Sequence, residues 1–144
     1  GTYILDENEK GLHILLAGGI GITPMRSFIK YNIDKKLTDI KLHLIYSNSI
    51  PAEIAFRKEI EEWSKASPNI KVDMTITKPG EDGEKWSGLT GRIDENMIKK
   101  LVPNYLIPNY WLCGPPVMVD AMEKILGHLK ITSDKLRVEK FTGY

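Results

Sequence analysis

The sequence predicts an α/β fold, a three-layer α/β/α sandwich built around a five-stranded parallel sheet. Five β-rich runs alternate along the chain with segments of helical spacing, and this alternation is typical of parallel strands joined by crossover helices. The first run is short and continuously apolar, as expected for a strand buried on both faces of a sheet. Right-handed crossovers then predict the strand order 3-2-1-4-5, with the first and fourth strands as neighbours.

The predicted strands differ in how their side chains alternate. The first is apolar throughout, whereas the third alternates and is expected to be half-exposed, with its inward residues at Ile70, Val72, Met74 and Ile76. In chain order, the predicted strands cover residues 13–17, 40–47, 70–77, 109–113 and 135–141.

Helices are predicted between these strands from apolar spacing and from capping residues. Pro24 suits the first turn of a helix in which Phe28, Ile29 and Ile33 share one face. Asp94 can cap a short helix that ends near residue 101. The helical patterns cover residues 24–34, 51–67, 94–101 and 117–129, and the Gly-rich, charged segment 78–91 is predicted to be a long loop.

The composition argues against several classes of protein. The 144 residues have the length of one domain, and a formal net charge of +1 gives no support for a nucleic-acid or membrane partner. No apolar stretch approaches the ~20 residues of a membrane span, and there is no secretory signal pattern. The single cysteine, Cys113, excludes an intrachain disulfide and fits a reducing compartment, so a cytoplasmic location is expected.

Two glycine-containing loops follow the first and the fourth predicted strands. These are GGIGITP at residues 18–24 and CGPP at residues 113–116. Glycine lets a phosphate approach main-chain N–H groups, and the helix that follows presents its positive end to that phosphate. Taken alone, the first loop predicts either a phosphate site or a plain strand-to-helix turn. No Gly-Lys-[Ser/Thr] sequence follows it, which disfavours a nucleoside triphosphate.

The two loops occur together with two further motifs in a fixed order. AGGIGITPMRS, LIYSNS…EIAFRKEIEEW, YWLCGPPVMVDAMEKIL and RVEKFTGY follow one another along the chain. In this order and spacing, the chain from about residue 12 to residue 144 resembles the pyridine-nucleotide domain of the ferredoxin–NADP⁺ reductase family. Members of that family pair this domain with an N-terminal flavin-binding barrel and pass electrons between NAD(P)H, flavin and a third partner.

The resemblance implies a role for each matching residue. Cys113 is expected beside the nicotinamide C4 atom, Glu139 helps to place the nicotinamide, and Phe141 covers the flavin. The dinucleotide is expected along three sets of residues: the first glycine loop (Gly18, Gly19, Gly21, Thr23 and Pro24), the second (Gly114, Pro115, Pro116 and Met118) and a ribose-holding edge (Ser47, Asn48, Ser49, Thr77 and Lys78).

The resemblance also implies cofactors and partners. NAD or NADP is expected on this domain, and FAD or FMN on a separate flavin domain or subunit. An electron-transfer protein or iron–sulfur domain is expected to take the electrons onward. The choice between NADH and NADPH stays open, because Lys78 and Lys85 could meet a 2′-phosphate or could simply be solvated.

The family's flavin barrel is missing from this sequence. Its Arg-x-Tyr-[Ser/Thr] motif does not occur, and residues 1–11 resemble the junction where that barrel ends, which leaves residues 12–144 as the nucleotide-binding domain. The chain alone is therefore not expected to hold flavin firmly or to complete the reaction. The predicted function is transfer of hydride from NAD(P)H to a flavin on another domain.

Several of these residues also fit ordinary structural roles. Cys113 could be a small buried residue of the core, and Glu139 an exposed strand carboxylate. The chain could be a nucleotide-binding regulatory module without turnover, or a binder of phosphate esters if the CGPP similarity is accidental. The three histidines stand singly without the spacing of metal ligands, so no metal site is predicted.

Overall fold

A six-stranded parallel sheet forms the middle layer of the molecule. The computed structural model describes residues 3–141, so the first two residues of the predicted junction and the last three of the predicted domain lie outside the described part. The strand order is β4-β3-β2-β1-β5-β6, and every neighbouring pair is parallel. The strands are β1 (Gly11–Gly18), β2 (Ile40–Asn48), β3 (Ile70–Ile76), β4 (Leu89–Thr90), β5 (Asn109–Gly114) and β6 (Leu136–Lys140).

The prediction of five strands is wrong by one, although the order of the five predicted strands agrees with the structure. The added strand, β4, lies inside the segment predicted as a loop and pairs with Thr75 and Ile76 at the end of β3. The Thr75 hydroxyl also donates a 2.7 Å hydrogen bond to the carbonyl of Gly91. A strand of two residues has no periodicity of its own, so only its pairing with β3 defines it.

Within residues 3–141, four α-helices cover the two faces of the sheet: α1 (Ile22–Asp34), α2 (Arg57–Ala66), α3 (Glu95–Leu101) and α4 (Pro116–His128). The cap of α3 is as predicted, because the Asp94 carboxylate accepts a 2.8 Å hydrogen bond from the Met97 N–H. α2 begins later than predicted, since Pro51–Glu53 form a separate 3₁₀ turn and Phe56 takes a left-handed conformation with φ of 57°. Across residues 3–141, no helix has the length and apolarity that a membrane crossing needs.

The sheet separates two hydrophobic cores. On one face, Leu15 and Trp111 pack with α1 and α2, and on the other Ile14 and Leu16 pack with α3 and α4. All four side chains are essentially inaccessible to solvent. Burial on both faces explains why β1 is a continuous apolar run in the sequence.

A segment without regular structure covers the α1/α2 face of β5 and β6. This N-terminal segment (residues 3–10) has Leu5 buried in the core and Tyr3 packed against it. At its other end, Glu9 forms a 2.7 Å ion pair with Arg137 on β6. The Glu9 carbonyl lies 2.7 Å from Nε2 of the buried His13. Tyr3, Leu5 and Glu9 of the segment predicted as a junction therefore contact the rest of this domain.

Candidate functional site

The two glycine loops meet at the carboxyl edge of the sheet. β1 ends at Gly18 and β5 at Gly114, and Ala17 pairs with Cys113 near the ends of these neighbouring strands. Strand order reverses here, because the chain continues from β1 to β2 on one side and β5 lies on the other. Ligands of open parallel sheets bind at such a point. The structure thus joins the two loops that the sequence predicts to form one site.

Two of the glycines lie where the loops pack closely together. A Cβ atom on Gly21 would lie 2.0 Å from the carbonyl oxygen of Cys113, and one on Gly18 would lie 1.8 Å from Sδ of Met118. The Cys113 carbonyl belongs to the backbone, so a side chain at Gly21 would force the loops apart, whereas one at Gly18 would have to displace the flexible side chain of Met118. Gly21 is therefore needed for the packing of the loops themselves.

Gly19, in contrast, faces open space. It is exposed, its φ is 52°, and apart from its two neighbours in the chain no described residue has an atom within 4 Å of the position that a Cβ atom would take. This left-handed conformation favours glycine. The bare main chain at Gly19 meets the requirement for a phosphate that approaches backbone N–H groups.

Two helices begin at this edge without side-chain caps. α1 follows Gly21 and α4 follows Pro115, and neither helix has an acidic residue in its first turn. The Ile22 N–H is already bonded to the Gly19 carbonyl, so the positive ends of the two helix dipoles are what favour an anion here. The exposed Thr23 and the half-buried Pro24 lie in the first turn of α1.

Cys113 is fully buried at the end of β5. It pairs in register with Glu139 on β6. Burial, together with the negative charge of Glu139, raises the pKa of the Cys113 thiol to about 12. The side chain is therefore a neutral thiol at physiological pH, which suits a compact wall of a site and does not suit a nucleophile.

The end of β6 lies at the same edge as the glycine loops. Glu139 is partly exposed, and Phe141 follows directly after the strand. The Phe141 N–H donates a 2.9 Å hydrogen bond to the carbonyl of Gly114, and its side chain packs against the α1/α2-face core. The structure thus brings the three residues expected near the nicotinamide and flavin to one place, with Cys113 on the strand between β1 and β6.

The predicted ribose-holding edge is assembled from the ends of β2 and β3. The N–H groups of Thr77 and Lys78 donate hydrogen bonds of 3.0 and 2.9 Å to the carbonyls of Asn48 and Ser49. Ser47 is buried at the end of β2, whereas Lys78 is exposed. These five residues are therefore contiguous, on the β2 side of the first glycine loop.

Asn48 carries a buried amide whose hydrogen-bonding capacity is incompletely used. Within residues 3–141, its Nδ2 atom has no hydrogen-bond partner, although the residue is only 6% exposed. The amide lies near the Tyr46 hydroxyl, which already accepts a 3.1 Å hydrogen bond from the Ala55 N–H. A buried unpaired donor is costly, so this amide is suited to a polar ligand at the end of β2.

The sequence reasoning missed Tyr3. Its hydroxyl donates a 3.1 Å hydrogen bond to the carbonyl of Leu112, the residue before Cys113. Burial, with smaller contributions from the nearby Cys113 and Glu139, raises the pKa of Tyr3 well above its usual value. The only signal in the sequence was an aromatic residue in a β-like stretch shortly before β1, and nothing local indicates where it packs.

No described group of side chains suggests a metal centre. In residues 3–141, no three His, Cys, Asp or Glu side chains are arranged to hold a metal ion. Each histidine has a separate setting. His13 contacts Trp111 across the core, His43 lies 2.6 Å from the Asp73 carboxylate, and His128 lies 3.3 Å from Glu95 on the surface.

Several known proteins with similar sequences or structures are reductases. Residues 15–124 match the family model described as an oxidoreductase NAD-binding domain. NADH-cytochrome b5 reductase 1 of Lodderomyces elongisporus is 34% identical over 126 residues, which are 86% of this chain and 41% of that protein. The glycine betaine monooxygenase reductase subunit of Chromohalobacter salexigens is 28% identical over 113 residues, which are 78% of this chain and 30% of that protein. Among solved structures, the cytochrome b5 reductase domain of Ulva prolifera nitrate reductase superposes with a TM-score of 0.78 at 28% identity, covering 92% of this chain and 49% of that one.

These similarities include both glycine loops, because the family match extends from β1 through the first part of α4. The chain spans less than half of the length of either curated relative named above. The match covers the part of the molecule that carries both loops of the carboxyl-edge site. The chain belongs to the oxidoreductase NAD-binding domain family, and this domain is of the ferredoxin–NADP⁺ reductase-like type.

Proposed function

We propose that this chain binds NADH or NADPH across the carboxyl ends of β1 and β5 and presents it to a flavin held by another domain or subunit. One observation carries the proposal: both glycine loops, Cys113 and the end of β6 converge on this single edge. The bare main chain at Gly19 and the two uncapped helix starts favour a pyrophosphate there. The buried amide of Asn48 would meet a ribose hydroxyl at the end of β2.

The residues around the nicotinamide position act by shape and charge. When bound, the dinucleotide supplies a hydride and the flavin accepts it, which is chemistry of the cofactors themselves. The neutral, buried Cys113 would form a compact wall at the end of β5, and Glu139 would provide a carboxylate acceptor beside it. This chain's contribution is therefore to align the two reacting rings and not to bond with them covalently.

An exposed apolar surface at the same edge fits a domain that holds flavin. Ile20 on the first glycine loop is 47% exposed, and Val117 at the start of α4 is 83% exposed. Exposed apolar side chains beside a site are typical of an interface. We assign this surface to the flavin domain or subunit.

The onward electron acceptor is proposed to be a one-electron carrier such as an iron–sulfur protein or domain. The similar proteins include reductases named for cytochrome b5 and for a monooxygenase system, which supports this class of partner.

The single buried thiol supports a reducing compartment, and we propose the cytoplasm. A regulatory domain without turnover is the second candidate, and the neighbouring Cys113 and Glu139 favour the catalytic one.

The test uses the full-length protein that contains this chain. We expect it to carry a bound flavin that is bleached by NADH or NADPH under anaerobic conditions, with the rate followed by stopped-flow absorbance. A flavin that binds but is reduced by neither nucleotide would support the regulatory alternative. A protein that binds neither nucleotide would contradict the proposal.

A further inference from the structure

Tyr3 precedes the first strand of the sheet, yet it packs beneath the end of β5. Its ring meets Trp111 edge-on, with centroids 5.1 Å apart, and lies 5.6 Å from the ring of Phe28 on α1. Phe28 and Trp111 are themselves 4.9 Å apart, so the three rings form an aromatic triad. Rings in mutual contact at these distances restrict one another's positions. The ring of Tyr3 is therefore held in one place.

The hydroxyl group of Tyr3 reaches the backbone next to Cys113. It donates its hydrogen bond to the Leu112 carbonyl at 3.1 Å and lies 4.0 Å from Sδ of Met25. Met25 is buried in the first part of α1, the helix that begins at the first glycine loop. One side chain thus contacts both the strand that carries Cys113 and the helix that follows the first glycine loop.

The N-terminal segment is fastened at both of its ends. Tyr3 holds one end to β5, while Glu9 holds the other through its ion pair with Arg137 and a hydrogen bond from the Asn109 amide. Arg137 also stacks over Trp111, 5.6 Å from the ring centroid. A change in the position of this segment would therefore be transmitted to β5.

We propose that Tyr3 is a positioning residue for the nicotinamide end of the site. Its hydroxyl sets the position of the β5 backbone at Leu112, and thereby the wall that Cys113 presents to the nicotinamide. This inference rests on the proposed function, because it concerns the alignment of the nicotinamide with the flavin. It predicts an effect on hydride transfer and none on the binding of the adenosine half of the dinucleotide, which lies across β2 and β3.

The test is Tyr3→Phe in the full-length, flavin-loaded protein. This substitution keeps the aromatic triad and removes only the hydroxyl. Loss of one such hydrogen bond is expected to lower the limiting rate of flavin reduction by NADH about 2- to 12-fold. The dissociation constant for ADP-ribose, which lacks nicotinamide, should stay unchanged. Tyr31→Phe is the matched control, since it removes a surface hydroxyl bonded to Glu7 of the same segment.

Each outcome either supports or overturns the inference about Tyr3. A slower reduction with unchanged ADP-ribose affinity, seen for Tyr3→Phe but not for Tyr31→Phe, supports the inference. An unchanged rate overturns it, and so does a parallel loss of rate and ADP-ribose affinity, which would indicate general disruption. If the wild-type flavin is not reduced by NADH or NADPH, the proposed function itself fails and the inference fails with it.

Discussion

At the scale of single residues, the glycines of the first loop have separate tasks. A Cβ atom on Gly21 would meet the backbone of the second loop, whereas one on Gly18 would meet the flexible side chain of Met118. Gly19 has room but takes a conformation that most side chains avoid. Substitution of Gly21 would therefore disturb the packing of the loops, and only Gly19 can report on ligand binding alone.

Replacement of Gly19 by Asp and by Asn tests the pyrophosphate site. Both residues tolerate the left-handed conformation better than other side chains, and they differ mainly in charge. Gly19→Asp should weaken binding of NADH and of ADP-ribose about 10- to 100-fold more than Gly19→Asn does, because like charges at short range repel by about 1 to 3 kcal/mol. Titration calorimetry measures both affinities. Equal affinities in the two variants would show that the pyrophosphate does not bind at this loop.

Replacement of Glu139 by Gln tests its role at the nicotinamide position. In the full-length protein we expect flavin reduction to slow by about 10- to 1,000-fold, which is about 1.4 to 4 kcal/mol of alignment in the transition state. Glu123→Gln is the control, since Glu123 is a carboxylate 3.7 Å from Lys140 on the surface. Glu139→Gln also removes a negative charge that raises the pKa of Cys113, so that pKa should fall. An unchanged reduction rate would show that Glu139 has no role at the nicotinamide and is an ordinary carboxylate of β6.

At the scale of elements, the short helix α3 depends on its cap. It has only seven residues, and its buried Ile98 belongs to the α3/α4-face core. Helices of this length are unstable alone, so the cap and the packing of Ile98 must both contribute.

Removal of the α3 cap should destabilise the domain measurably. Asp94→Ala loses the hydrogen bond from the Met97 N–H, and we expect the free energy of unfolding to fall by about 1 kcal/mol. Asp82→Ala is the control, because the Asp82 carboxylate accepts a 3.1 Å hydrogen bond in an exposed loop and caps no helix. Urea denaturation followed by circular dichroism compares the two. A similar loss in both variants would argue against a specific capping effect.

At the scale of the whole molecule, function is concentrated at one edge of the sheet. The carboxyl edge carries both glycine loops and the exposed Ile20 and Val117, whereas the amino edge exposes Leu106 and Ile107 before β5. Both edges have apolar side chains on the surface, so exposure alone does not identify the interface. The proposed nucleotide site lies beside the carboxyl edge, and this is the reason to assign the flavin domain to that edge.

Paired substitutions at the two edges test this assignment. In the full-length protein, Ile20→Ser with Val117→Ser should slow flavin reduction about 5- to 30-fold, because lost apolar contact of this size is worth about 1 to 2 kcal/mol. The matched pair Leu106→Ser with Ile107→Ser at the amino edge should leave the rate unchanged. Stopped-flow absorbance measures both. The opposite pattern would place the flavin domain at the amino edge.

Much of the fold was predictable because its signals are local in the sequence. The apolar run of β1, the helical spacing after each strand and the Asp94 cap each depend on neighbouring residues, and right-handed crossovers then order the strands. The glycine loops were predictable as a pair, because strand order brings them to one edge. β4 was not predictable, since two residues are defined only by pairing with β3.

The amino-acid sequence was sufficient for the fold class, the order of five strands and the family to which the motifs belong. Tertiary packing was needed to establish that Gly21 has no room for a side chain and that Gly19 faces open space. The same is true of Tyr3, which lies 109 residues from Leu112 and bonds to the backbone beside Cys113. The reason is that these contacts join residues that are far apart in the sequence. A contact of this kind leaves no periodic pattern around either residue, so it is established only when the sheet forms.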